Sequence, residues 1–213
     1  TASPTACENL AGIGTQAWSN PGRAVSSNTS YATVSLDGTI SQYLYCHDFG
    51  FAVPAGATIN GITVNVERRS SLTGNGGSRD SSVSLVSGGV VVGSNLATAT
   101  AYTTSDVVES HGGATNLWGA AWTPATVNAG AFGVAFAATK ASSSGAAHIV
   151  YVDHIQILVD YTPAPRACVS AASGNWSAAA TWNCGSGPGD GPPISIDSAT
   201  INNHAVSFNT SSS

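Results

Sequence analysis

The acidic residues are the side chains of this chain best suited to catalysis, because two carboxylates that flank a substrate can act as general acid and base. None of them falls in a recognisable motif, and each position equally suits a solvent-facing strand residue or a turn. No Gly-x-Ser-x-Gly sequence is present to place a nucleophilic serine at a sharp turn. The sequence therefore predicts a protein that is not an enzyme. The acidic residues in question are Glu67, Asp80, Asp106, Glu109 and Asp153.

Histidine and carboxylate spacing gives little support for a metal. The five histidines are scattered, and only His148 and His154 are close enough to share one strand face. Histidines that form ordinary hydrogen bonds are the favoured interpretation, so the sequence predicts no metal centre and no cofactor. Calcium bound by loop oxygens is the alternative, with Asp80, near Asn75, and Asp37 as ligands.

Aromatic rings are the remaining side chains that suggest binding, because sugar rings stack on exposed aromatic faces. Trp118 and Trp122 are the predicted ligand-stacking residues. A sandwich of this size also needs large rings as core filler, so most of them are expected inside. The rings that this platform would draw on are Trp18, Trp118, Trp122, Tyr31, Tyr43 and Tyr45.

The composition describes a neutral surface. Of 213 residues, 42% are hydrophobic but only 8% are charged, against about 25% charged residues in typical soluble domains. The chain has six basic residues, of which only Arg68 and Arg69 are adjacent. Because a phosphate backbone is bound by several clustered cations, the sequence predicts no nucleic-acid binding. No apolar run is long enough to cross a membrane. The chain starts Thr1-Ala2-Ser3-Pro4 and contains no methionine, so removal of a signal peptide is expected.

The four cysteines indicate an oxidising compartment, hence a secreted, extracellular or cell-surface location. Three pairings are open to four cysteines. Proximity favours Cys168–Cys184, whose loop of about 17 residues would contribute about 3 kcal/mol, and this leaves Cys7–Cys46. A metal site is the less favoured alternative, because the cysteines do not form Cys-x-x-Cys pairs.

Strand patterns dominate the chain. Apolar and polar residues alternate from Ile62 to Glu67 and from His154 to Tyr161, as expected for strands with one buried face. Early strands are expected around Tyr43 and Tyr45 and to include Phe49 and Phe51, and a short helical turn is expected at residues 106–110. Many short strands separated by polar loops predict an all-β fold, an antiparallel jelly-roll-like sandwich with a small C-terminal β appendage.

Two prolines in Thr162–Arg166 mark a stiff linker. The predicted organisation is a β-sandwich domain at 1–161, a Pro-rich linker at 162–166 and a disulfide-pinned β segment at 167–213. Three alternating runs in the last segment predict strands at 194–196, 199–201 and 205–208. A ribbon of this size is marginal without a covering layer, so its apolar residues are the predicted subunit contacts: Ile194, Ile196, Ala199, Ile201, Val206 and Phe208.

Three stretches within residues 16–161 resemble β-sandwich modules of bacterial surface proteins and phage tail-associated proteins: Phe51–Ile62, Leu117–Thr123 and Val152–Tyr161. The resemblance implies a non-catalytic building block. The tail resembles the start of a bacterial extracellular β-solenoid through Gly174–Ser177, Thr181-Trp182 and the turn Pro188–Asp190. It departs from that pattern by containing about one rung, where about three are needed for stability.

These observations predict a structural subunit of an extracellular filament or surface appendage. Identical subunits would form a head-to-tail homopolymer through strand complementation, since such contacts do not close. The alternative is a carbohydrate-binding or adhesive module of a larger bacterial surface protein, with a glycan as its partner. A phage tail or spike component is a third hypothesis, suggested by resemblance alone.

Overall fold

The computed structural model of the chain describes residues 1–74, 77–142, 145–185 and 191–208. The chain divides into two compact units, Thr1–Thr162 and Pro163–Ser213. Strands dominate both, and the predicted antiparallel jelly-roll-like sandwich with a small C-terminal β appendage is confirmed. No helix in the described ranges is long and apolar enough to span a membrane.

The described part of the first unit contains nine strands, which form two antiparallel sheets. The strands are β1 Ala6–Leu10, β2 Ala32–Leu36, β3 Tyr43–His47, β4 Thr58–Ser70, β5 Ser78–Ser87, β6 Val90–Val92, β7 Val107–Gly113, β8 Gly133–Lys140 and β9 His148–Thr162. The five-stranded sheet has the order β1-β3-β8-β5-β6, and the four-stranded sheet has the order β2-β9-β4-β7.

The long pairing of β4 with β9 is the centre of the four-stranded sheet. It runs from Thr58 opposite Thr162 to Ser70 opposite Val150. Two irregularities interrupt it: Asn60 is an extra residue of β4 between Ile59 and Gly61, and Asp153 is an extra residue of β9 beside Glu67 and Arg68. From Ile62 to Ser70 every second residue of β4 is buried, so the inward phase of β4 is constant over this stretch.

The inner faces of the two sheets share one hydrophobic core. The predicted alternation is confirmed on β4 and for Ile155, Ile157 and Val159 of β9, which are buried between partly exposed neighbours. Tyr161 departs from it, because 39% of this residue is exposed. The predicted helical turn at 106–110 is wrong, since residues 107–110 belong to β7. In the described ranges one α-helix occurs, α1 Pro124–Val127, and Thr123 caps it. Phe49 and Phe51 lie in an irregular segment rather than in a strand.

Both disulfides favoured from the sequence are present. Cys7–Cys46 joins paired residues of β1 and β3, and Cys168–Cys184 lies in the second unit. No free cysteine occurs in the described ranges. Disulfides are typical of oxidising compartments, which fits a protein outside the reducing cytosol.

The described part of the second unit contains five short strands: β10 Ala167–Ser170, β11 Gly174–Asn175, β12 Trp182–Asn183, β13 Ser198–Thr200 and β14 Val206–Ser207. The strand predicted at 199–201 thus exists one residue earlier, and the strand predicted at 205–208 exists in shortened form. The predicted strand at 194–196 is wrong, because these residues form a turn that Asp197 closes: its side chain accepts from the Ile194 amide at 2.9 Å. The predicted turn at Pro188–Asp190 lies outside the described residues, and so does Asn75, which the calcium alternative places near Asp80.

Candidate functional site

The outer face of the four-stranded sheet is polar and partly exposed, because alternate residues of each strand point away from the core. Its central rows combine amide, hydroxyl, imidazole and carboxylate groups. Ser110 on β7, for example, donates a hydrogen bond to Asn65 on β4 at 2.7 Å. Leu158, opposite Thr63, is the aliphatic member of these rows. The other outward residues of β4 and β9 in these rows are Thr63, Asn65, Glu67, Arg69, Tyr151, His154 and Gln156.

Two tyrosines, an arginine and an aspartate meet at one end of this face. We call Tyr31, Arg69, Asp106 and Tyr151 the tyrosine–arginine cluster. Arg69 and Tyr151 are paired residues of β4 and β9. Tyr31 immediately precedes β2 and Asp106 immediately precedes β7. Two paired central strands therefore contribute one side chain each, and the residues directly before the two flanking strands contribute the other two.

The contacts within the tyrosine–arginine cluster fix its rings. The guanidinium of Arg69 lies 3.9 Å from the ring centroid of Tyr151 and 4.7 Å from that of Tyr31. The two rings meet edge-on with centroids 5.4 Å apart. The Tyr31 hydroxyl donates to Asp106 at 2.9 Å, and Arg69 Nε lies 3.4 Å from the same carboxylate. The arrangement is held before any ligand arrives.

The electrostatics keep the Tyr31 hydroxyl a donor. Burial raises the pKa of Tyr31, the nearby Arg69 lowers it in part, and the hydrogen bond to Asp106 raises it further. Both rings are half-buried, so each still offers some surface to solvent. Half-exposed aromatic rings beside a few fixed polar groups are the usual composition of a small-molecule binding site.

A second group of charges lies inside the sandwich. Arg68 donates to both oxygens of Asp80, at 3.0 and 3.4 Å, and to Glu109 at 2.7 Å. Asp80 also accepts from the amide and hydroxyl of Thr98 at 3.2 Å and from the hydroxyl of Tyr102 at 2.7 Å. This buried network ties the irregular segment before β7 to both sheets.

The pKa shifts in the buried network favour its charged state. Burial raises the pKa of Asp80, but the hydrogen bonds and charge of Arg68 outweigh it and hold that pKa below its ordinary value. The pKa of Glu109 is also lowered, since hydrogen bonds from Thr98 and Arg68 exceed the effect of burial. Both carboxylates are therefore ionised at neutral pH.

The outer face of the five-stranded sheet has a shallow cavity of about 410 Å³. Its aromatic residue, Tyr45, is buried and lies under the ring of His47, with centroids 4.6 Å apart. His47 lies 3.6 Å from Glu8 and 2.9 Å from Asp48. Because His47 covers the tyrosine, this cavity offers a ligand less aromatic surface than the tyrosine–arginine cluster does.

The two tryptophans predicted to stack on a ligand lie in the core instead. Trp118 is 0% exposed, and its indole nitrogen donates to the carbonyl of Ile62 at 2.8 Å. Trp122 is 9% exposed and packs edge-on against Phe132. Their rings fill space between the sheets, which leaves no face for a sugar. Tyr31 is the aromatic residue of the predicted platform that reaches the tyrosine–arginine cluster.

The predicted subunit contacts divide into two groups. Val206 packs partly against the small core of its own unit. The other five are exposed to solvent: Ile194, Ile196, Ala199, Ile201 and Phe208.

The predicted calcium ligands do not form a site. Both oxygens of Asp80 already accept hydrogen bonds from protein groups. Asp37 lies in the exposed turn after β2 and contacts Thr39. Within the described ranges, no three histidine, cysteine, aspartate or glutamate side chains are arranged to hold a metal ion.

Comparison with known proteins leaves the functional argument to the residues of the chain itself. No protein-family model matches the sequence, and no curated protein matches it. One solved structure that resembles it is a carbohydrate-binding module described as "CBM4 structure and function". The two chains are 16% identical, the match covers 63% of this chain and 87% of the other, and the TM-score is 0.35.

Proposed function

We propose that this chain is a carbohydrate-binding, adhesive module of a larger bacterial surface protein. The observation that supports this most directly is the tyrosine–arginine cluster on the outer face of the four-stranded sheet. A pyranose ring has an apolar face of C–H groups and a rim of hydroxyls. The half-exposed rings of Tyr31 and Tyr151 suit the first, and the polar groups of Arg69 and Asp106 suit the second.

The remainder of the same face extends this match. Adjacent rows present Asn65, Glu67, His154 and Gln156, whose side chains can donate or accept hydrogen bonds. A chain of several sugar units could lie across these rows with one unit on the tyrosines. The class of ligand that we propose is therefore a neutral oligosaccharide or polysaccharide.

Binding without catalysis is part of the proposal, and no cofactor is needed for it. A glycosidase needs one carboxylic acid whose pKa is raised so that it can protonate the leaving group. Asp80 and Glu109 are the two acids that share a cation, and the pKa of each is lowered. Asp80 is also buried, which keeps a substrate away from it, and Glu109 is engaged by hydrogen bonds from Arg68 and Thr98.

The filament hypothesis gains no comparable support. Head-to-tail strand addition needs a free strand edge at both ends of the repeating contact. In the second unit, β10 lies between two strands: β13 pairs with Ala167–Val169 on one side, and β12 pairs with Val169 and Ser170 on the other. A second copy could not repeat the β10–β13 pairing without first displacing β12.

The test is a glycan array followed by calorimetry on the best ligand, with wild type and Tyr151→Ala. An aromatic anchor at the centre of a binding site costs about 2 kcal/mol or more when truncated, so affinity should fall about 30-fold. Tyr43→Ala is the matched control, because Tyr43 is a half-buried tyrosine on the other sheet. An array without hits, or equal losses in both variants, would contradict the proposal.

A further inference from the structure

In the second unit the chain completes one loop and then runs a second time beside its first pass. β10 pairs in parallel with β13, with Ala167 opposite Ser198, which is 31 positions later. β11 pairs in parallel with β14, with Gly174 opposite Val206, which is 32 positions later. Two parallel pairings at nearly the same spacing mean that the chain completes one loop and returns in register beside its first pass.

Side chains at the same spacing also stack. The ring of Trp176 lies on that of Phe208, 32 positions later, with centroids 4.8 Å apart and planes 23° from parallel. Arg166 binds Asp197, 31 positions later, through Nε at 3.1 Å and a terminal nitrogen at 2.6 Å. Main chain and side chains thus repeat with one period, as in stacked-repeat architectures.

The second pass covers the first but lies uncovered itself. Ser170 is 4% exposed, whereas Ile201, its equivalent 31 positions later, is 47% exposed. Trp176 is half-buried beneath Phe208, which is 67% exposed. The second pass therefore exposes to solvent a surface of the same kind as the one that the first pass buries against it.

The outer edge of the second pass is formed by β13 and β14. β12 pairs with the far side of β10, so the sheet order is β12-β10-β13, and in the described ranges no strand follows β13 or β14. The Ser198 amide donates to the Arg166 carbonyl, so the amide of its neighbour Ala199 points away from β10. By the same alternation the amide of Val206 points away from β11. The carbonyls of its neighbours Ala205 and Ser207 accept hydrogen bonds from the amides of Gly174 and Trp176, so these neighbours face the first pass.

We propose that the outer edge of β13 and β14 binds a further parallel pass of β structure, formed by a polypeptide segment with the pattern of residues 194–208. Its strands would accept from the amides of Ala199 and Val206, and its apolar residues would cover Ile201 and Phe208. A second copy of the chain is the less suitable occupant, because β12 already pairs with Val169 and Ser170 on its β10 edge. This inference does not depend on the proposed sugar binding.

The test extends the full chain with a second copy of residues 194–208, through a flexible linker that places each appended residue 31 positions after its template. Linking makes the binding intramolecular and raises the effective concentration. The amide hydrogens of Ala199 and Val206 should then exchange with solvent at least about tenfold more slowly, because a hydrogen-bonded amide exchanges only when its hydrogen bond opens. The matched control carries the same appended residues in scrambled order.

Two further measurements make the outcome decisive. Ala199→Pro removes one outward donor and should abolish the protection gained at Val206 in the extended chain, while the melting temperature of the unextended chain stays unchanged. Equal protection by the scrambled extension, or none by the patterned one, would overturn the proposal. Protection in the unextended chain that rises with protein concentration would identify a second copy as the occupant and would overturn it as well.

Discussion

Replacement of Asp80 by asparagine tests whether the buried network holds the sandwich together. The substitution keeps the shape of the side chain but removes the charge that faces Arg68 at 3.0 Å. Both side chains are nearly inaccessible, with 3% of Arg68 and 0% of Asp80 exposed. Loss of one partner from a buried ion pair costs about 3–5 kcal/mol, because the other charge stays buried without compensation.

This cost should be visible in thermal unfolding of the first unit. For a domain of about 150–250 residues, 1 kcal/mol shifts the melting temperature by about 2–4 °C, so Asp80→Asn should lower it by about 6–20 °C. The matched control is Asp106→Asn, which breaks the partly exposed pair with Arg69, the next residue of β4. A partly exposed pair contributes about 1 kcal/mol or less.

The difference between wild type and Asp80→Asn should also depend on pH. The pKa of Asp80 is lowered in the folded protein, so its contribution is present above the unfolded pKa of about 3.9. It is lost as the pH falls through the lower folded value. The two melting temperatures should therefore differ fully at pH 7 and converge below about pH 4. A loss for Asp80→Asn no larger than that for Asp106→Asn would refute the assignment of stability to the buried network.

Three further outcomes are expected. Removal of Cys7–Cys46, whose residues are 39 positions apart, should cost about 4 kcal/mol by loop-closure entropy, measured by chemical denaturation. Trp118→Ala should cost about 3–5 kcal/mol of stability in the same assay, while the folded fraction keeps its sugar affinity. The hydrogen bonds from Arg166 lower the pKa of Asp197 to about 2, so Asp197→Asn should destabilise the second unit at neutral pH, with the difference from wild type disappearing between about pH 4 and pH 2 in an acid titration.

Much of the sandwich could be predicted from local pattern. Alternation from Ile62 to Glu67 identifies the buried face of β4, because a strand repeats every two residues. Cysteine spacing favoured both disulfides that the structure contains. The alternation and the Cys168–Cys184 pair depend on residues that are close in the sequence, and Cys7–Cys46 then followed as the remaining pair.

The turn at 194–196 shows how local pattern misleads. Ile194-Ser195-Ile196 alternates like a strand, but the carboxylate of Asp197 accepts from the Ile194 amide and the Asp197 amide donates to the Ile194 carbonyl. Aspartate competes for backbone hydrogen bonds in this way and favours turns. The aspartate directly after the run was the available indication.

The tyrosine–arginine cluster was beyond local pattern, because its members are far apart in the chain. Tyr31 and Tyr151 come together only through the pairing of β2 with β9, and Arg69 joins them through the pairing of β4 with β9. Knowledge of strand order and register is needed to place these residues side by side. From residue types alone, Tyr31 was one of six aromatic residues that could form a binding platform, and Tyr151 was not among them.

Arg68 and Arg69 explain why the register of β4 connects the stability of the sandwich to its proposed site. The two are adjacent and of one type, yet strand alternation directs Arg68 into the buried network and Arg69 onto the tyrosines. A shift of β4 by one residue would exchange their faces and would also expose its apolar side chains. Charge and apolar pattern therefore specify the same register. The extra residue in β9, Asp153, is accommodated at the irregularity beside Arg68, so that both arginines keep their partners while β9 adjusts.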